Sequence, residues 1–96
     1  MKRLQFRLED FNPDSMTEDD INQWIDFIGN GLRPSVAKQW FPDTPGQFRH
    51  TRNIRNYLQN KLTAMHLRIE GRISTAMTYE AICERIYNDL PHNARW

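Results

Sequence analysis

The chain has 96 residues, 39% of them apolar and 26% charged, with one cysteine and a formal net charge of +1. That length suits one domain with a modest core, the aromatic content of 11% argues against disorder, and a lone cysteine excludes an internal disulfide. No apolar run approaches bilayer-spanning length, the opening Met1–Asp10 lacks the apolar core of a signal peptide, and a free thiol fits a reducing compartment, so a cytoplasmic single domain over 1–96 is expected.

The near-neutral balance conceals a sorting of charge along the chain. Residues 1–30 carry three basic and seven acidic groups, residues 31–72 eight and two, and residues 73–96 two and three. A basic middle between acidic ends has two readings. The acidic ends fold back on the basic segment, or the segment presents a cationic face to a polyanion.

In chain order, Leu4, Phe6 and Leu8 alternate with Arg3, Gln5 and Arg7, which predicts a short extended segment. No second strand signal follows, so this strip lies on helices or pairs with a second copy. Phe11 to Met16 reads as a loop around Asn12-Pro13-Asp14. Thr17 is placed to cap a helix over 18–29, with Glu18, Asp19 and Asp20 in its first turn and Ile21, Trp24, Ile25 and Ile28 on its apolar face. Gly29-Asn30-Gly31 should stop it with residues that tolerate a left-handed backbone. Pro34 opens a short second helix whose one face holds Val36, Ala37, Trp40 and Phe41 before Pro42.

Thr44 and Pro45 start a long helix over 45–70. Its apolar stripe is Thr51, Ile54, Leu58, Leu62, Met65 and Ile69. Tyr57 and Leu67 fall off that stripe, so the helix must touch more than one neighbour and is expected at the centre. Gly71 then breaks the pattern. A last helix over 73–90, with Ser74 as cap candidate, shows Ala76, Tyr79, Cys83, Ile86, Tyr87 and Leu90 on one face and ends at Pro91. The expected fold is all-α, with about four helices, a long C-terminal αα-hairpin turning at Gly71, and an extended N-terminal segment. Small residues at Ala76 and Cys83 let the paired helices approach closely. Trp96 is placed to fold back on the core.

The residue types that carry chemistry are sparse. Arg49, Arg52 and Arg55 with His50 form a compact cationic cluster able to grip one or two phosphates. At 100° per residue, however, Lys61 and Arg68 fall on another flank, so there is no continuous basic stripe. His66 and Glu70 stand one turn apart but lack the further ligands a metal needs. Glu80 and Glu84 are better placed to meet cations across the hairpin than to act as an acid–base pair. Cys83 lies mid-stripe, where cysteine behaves as a small hydrophobe. None of the four glycines belongs to a phosphate-binding pattern. No catalytic residue, metal or cofactor is therefore expected.

Two resemblances arise at the hairpin. Gly71, Ala76 and Cys83 fall where tetratricopeptide-type helical pairs place a turn glycine and two small packing residues, although the larger aromatic signature is absent. The stretch Met65-His66-Leu67-Arg68-Ile69-Glu70-Gly71-Arg72-Ile73, continued by Ala76, Tyr79-Glu80, Cys83, Ile86-Tyr87 and Leu90-Pro91, looks like small, mostly uncharacterised accessory proteins of bacteriophages and prophages. That resemblance implies a short helical protein that works by binding a host or phage component. The expected function is a non-enzymatic protein-interaction module, with Trp40, Phe41 and Trp96 as aromatic anchors and Arg49, Arg52 and Arg55 as a charged rim. The alternative is a nucleic-acid-binding protein using Arg49, His50, Arg52 and Arg55. A homodimer through the N-terminal strip or the Trp40-Phe41 face fits either reading.

Overall fold

The computed structural model describes residues 11–31, 47–92 and 95–96. Among them the fold is all-α, without a strand. A 3₁₀ turn (Pro13–Ser15) precedes α1 (Glu18–Asp26), which runs on into a π-helical turn (Phe27–Gly31); α2 (Gln47–Ile69) and α3 (Ile73–Asp89) follow. The extended segment expected before Phe11 and the short helix expected around Trp40 and Phe41 lie outside the described residues.

The start of α1 is decided locally. The Thr17 hydroxyl accepts from the Asp20 amide at 3.2 Å, and the Asp20 carboxylate accepts from the Thr17 amide at 3.1 Å. This reciprocal box satisfies two amides that helix geometry leaves without partners. The other end differs from expectation. Gly29 has no positive φ, and α1 widens into a π turn that ends at Gly31. The backbone at Gly29 lies close under Arg55: a Cβ there would stand 2.8 Å from Arg55 Nε, so a larger residue would require the guanidinium to shift. Arg55 lies over this end of the helix and donates from Nε to the Ile25 carbonyl at 3.2 Å. A guanidinium at a helix C-terminus satisfies an exposed carbonyl and complements the dipole.

Helix α2 is central. It packs chiefly against α3 and also against α1. The contact of Glu18 with His66, and that of Ile25 with Arg55, show α1 running antiparallel to α2. Arg68 meets Glu80, and the Tyr57 carbonyl meets Cys83, so α3 runs antiparallel on another side. Two buried surfaces result. Ile21, Trp24 and Ile28 of α1 share the main core with Ile54 and Leu58 of α2, and with Phe11 and Leu90. Ala64 and Leu67 of α2 and Ala76 and Cys83 of α3 are also buried.

Ile69 was expected in the buried stripe but is 78% exposed. The reason is length: α1 begins at Glu18, opposite His66, and reaches no further along α2. Leu67, off the stripe, is buried instead. Ser74 is not the cap of α3, which starts one residue earlier with Arg72 in the cap position and no capping side chain.

Gly71 has φ +81°. Its amide bonds the Arg68 carbonyl at 3.0 Å, and the Arg72 amide bonds the Leu67 carbonyl at 2.8 Å. These two bonds form a Schellman motif, which needs a left-handed residue where Gly71 stands. A Cβ at Gly71 would meet nothing within 4 Å, so substitution is opposed by backbone strain alone. Gly71→Ala is expected to lower stability by about 1–2 kcal/mol in urea melts, and Gly71→Asn by less. Equal losses for the two would refute a purely conformational cause.

Candidate functional site

A half-open cleft of about 410 Å³ lies where α2 and α3 face one another. From α2 come Tyr57, Lys61, Ala64 and Met65; from α3 come Glu80, Cys83, Glu84 and Tyr87; Asp14 and Trp96 complete it. Positions 57, 61 and 64 recur at one helical period, and so do 80, 83, 84 and 87. Each set is thus one face of its helix. Tyr57, off the main stripe, was the sequence signal for this second face, but the chain alone does not say which α3 residues stand opposite.

Aromatic contacts shape one end. The Trp96 ring meets Tyr57 edge-on at 4.7 Å, Tyr87 at 4.8 Å and Phe11 at 4.9 Å, and Phe11 meets Trp24 at 5.0 Å. Tyr87 donates its hydroxyl hydrogen to the Trp96 carbonyl at 2.6 Å. Arg95 places its guanidinium carbon 5.7 Å from the Tyr87 ring centre and donates to the Leu90 and Asn88 carbonyls. Trp96 is therefore half-buried within the molecule's own aromatic cluster, where its ring joins α2, α3 and the segment before α1.

Carboxylates pair with basic side chains of α2, two of these pairs at the cleft. Lys61 lies 3.5 Å from Asp14, His66 2.7 Å from Glu18, and Arg68 grips Glu80 through two hydrogen bonds of 2.5 and 2.7 Å. Each basic side chain belongs to α2, and each carboxylate to a flanking acidic segment. The Arg68 hydrogen bond holds the Glu80 carboxyl below the usual carboxylate range. That contribution is present above the ordinary range and is lost as pH falls, and its exposed setting keeps it small.

The predicted arginine cluster divides. Arg49 and Arg52 are exposed, Arg55 is partly buried against the end of α1, and His50 is partly buried. The three arginines therefore do not form one free cationic patch. Among the described residues, no three His, Cys, Asp or Glu side chains gather to hold a metal ion, and His66 bonds Glu18. No helix among them is long and apolar enough to cross a membrane.

Cys83 is buried and directs its thiol at the Tyr57 carbonyl, 3.4 Å away. Burial pushes the thiol up from 9.0 to about 11, with Lys61 opposing and Glu80 adding to the shift. Burial also pushes Tyr57 up to about 12, with the charges of Cys83, Asp14 and Tyr87 adding to it. Both groups hold their protons longer in the folded chain, so stability should fall as pH rises from about 9 to about 12. At pH 8 the raised thiol value alone should slow alkylation of folded Cys83 about a hundredfold relative to the unfolded chain, since the thiolate is the nucleophile. Mass-spectrometric timing of iodoacetamide labelling checks this; equal rates in both states would refute it. Compared with family models, curated proteins and solved structures, the chain matches none.

Proposed function

We propose that this chain is a protein-interaction module, an accessory factor of the phage type that its C-terminal third resembles, and that it docks through the end of the helix pair at Gly71. One observation carries the reading. Ile69, Ile73 and Met77 are 78%, 44% and 58% exposed, the large apolar side chains most open to water among the described residues. Ile73 and Met77 stand one turn apart on α3, and Ile69 closes α2, so they share one end of the molecule. Burying such a side chain is worth about 1.5–3 kcal/mol, which a partner would supply. Exposed Glu70 and Arg72 flank the turn as a polar rim.

The surfaces expected from sequence contribute differently. Trp40 and Phe41 lie outside the described residues, and Trp96 faces inward. Of Arg49, His50, Arg52 and Arg55, the nucleic-acid reading keeps Arg49 and Arg52 as exposed cations, since Arg55 is engaged with α1 and His50 is partly buried.

A photo-crosslinking residue at Met77, with exposed Asn56 as control site, tests the proposal in cells. A discrete, saturable adduct at 77 that Ile69→Glu abolishes is expected; equal adducts at both sites would sink the docking surface. Salt-sensitive binding of DNA or RNA, lost in an Arg49→Ala/Arg52→Ala double variant, would favour the alternative. Arg55 is left intact there because its removal disturbs α1.

A further inference from the structure

We infer that the cleft between α2 and α3 is a binding site for an organic cation, an ammonium or guanidinium head on an apolar stem. Its charge balance comes first. Three carboxylates and one ammonium line it: Asp14, Glu80 and Glu84 against Lys61. Asp14 is taken by Lys61, and Glu80 by Arg68 from outside the lining. Glu84 has no partner among the described residues. It stands one turn beyond Glu80 on the same face of α3, so one carboxylate at the mouth remains uncompensated, which matches a ligand of one positive charge.

Shape and wall chemistry agree with this. A volume of about 410 Å³ falls within the range of small-molecule sites, and such sites combine apolar walls with a few placed polar groups. Tyr57, Tyr87 and Trp96 supply aromatic rings, whose faces attract cations. Arg95 over the Tyr87 ring shows that pairing already made within the chain. An anion would be repelled by the unpaired Glu84, and a neutral ligand would gain no charge pairing from it. The site is separate from the Ile69–Met77 docking end, so either proposal can fail alone.

The head group could arrive free or on a basic side chain of another protein, and one experiment separates the two. Butylguanidinium and its neutral near-isostere butylurea are titrated into ¹⁵N-labelled full chain, alongside a Gly-Arg-Gly peptide capped at both ends. Butylguanidinium is expected to shift amide signals of the cleft residues at millimolar concentration, and butylurea is not. Glu84→Gln is expected to weaken binding about tenfold, the scale of one charge-assisted hydrogen bond. Because Glu84 is exposed, this variant keeps the fold, which the spectrum itself verifies. Tighter binding of the peptide assigns the site to a protein's basic side chain, and equal or weaker binding assigns it to a free amine or guanidine. Equal shifts with butylurea, no shifts with butylguanidinium, or unchanged affinity in Glu84→Gln would overturn the inference.

Discussion

Replacing Trp24 with alanine is expected to lower the free energy of unfolding by about 3–5 kcal/mol, a large part of the roughly 5–15 kcal/mol that holds a typical domain together. Trp24 is 2% exposed and sits on the inner face of α1. Its ring meets Phe27 at 6.4 Å and Phe11 at 5.0 Å, both edge-on. Phe11 in turn meets Trp96, which contacts Tyr57 on α2 and Tyr87 on α3. The rings therefore form one connected path across α1, α2 and α3. Truncation at 24 removes the transfer energy of an indole and leaves a cavity, and it also takes the support from Phe11. Urea melts followed by far-ultraviolet circular dichroism measure the loss, and the near-ultraviolet aromatic signal should fall by more than one tryptophan's share. Trp24→Phe keeps a ring in place and should lose less. A loss below about 1 kcal/mol for the alanine variant would mean that the ring path is not central to stability.

What the chain announces beforehand is what neighbouring residues settle among themselves. Thr17 and the acids after it predict the start of α1 because a capping box closes within one turn. Gly71 predicts a break because a left-handed residue after a helix is a local requirement. Ile69 shows where such reasoning ends: periodicity names a face of α2 but not the point at which the covering helix stops. Gly29 is a sharper case. It reads as a helix stop, yet it also lies directly under the guanidinium of Arg55, far along the chain. The same distance hides the cleft. Tyr57, Lys61 and Ala64 mark a second face of α2, but Glu84 and Trp96 join it only through the register of α3 and the return of the chain. Pairing of the acidic ends with α2 was legible as a charge pattern; which acid takes which cation was not. That choice leaves Glu84 over and removes Arg55 from the expected basic cluster.

Enlarging Ala76 to leucine should cost about 1–3 kcal/mol, the usual penalty for forcing extra methylenes into a packed interior. Ala76 is fully buried on α3, the helix that packs most closely on α2. Arg68–Glu80 and Tyr57–Cys83 set α3 antiparallel against the C-terminal half of α2, where Ala64 and Leu67 are also buried. With alanine at 64 and 76, the two backbones stand too near for a longer side chain, so the helices must separate or the leucine must leave its preferred rotamers. Separation has a second signature. Cys83 lies two turns along the same face of α3, and its slow alkylation depends on the closed interface. Ala76→Leu is expected to raise the labelling rate of folded Cys83 toward that of the unfolded chain while the helical signal persists. Met77→Ala, at the exposed neighbouring position, should change stability by no more than about 0.5 kcal/mol and leave labelling slow. Should Ala76→Leu cost nothing and leave Cys83 protected, α2 and α3 would not be in close contact. The cleft between them would then lose the rigid walls that a cation site requires.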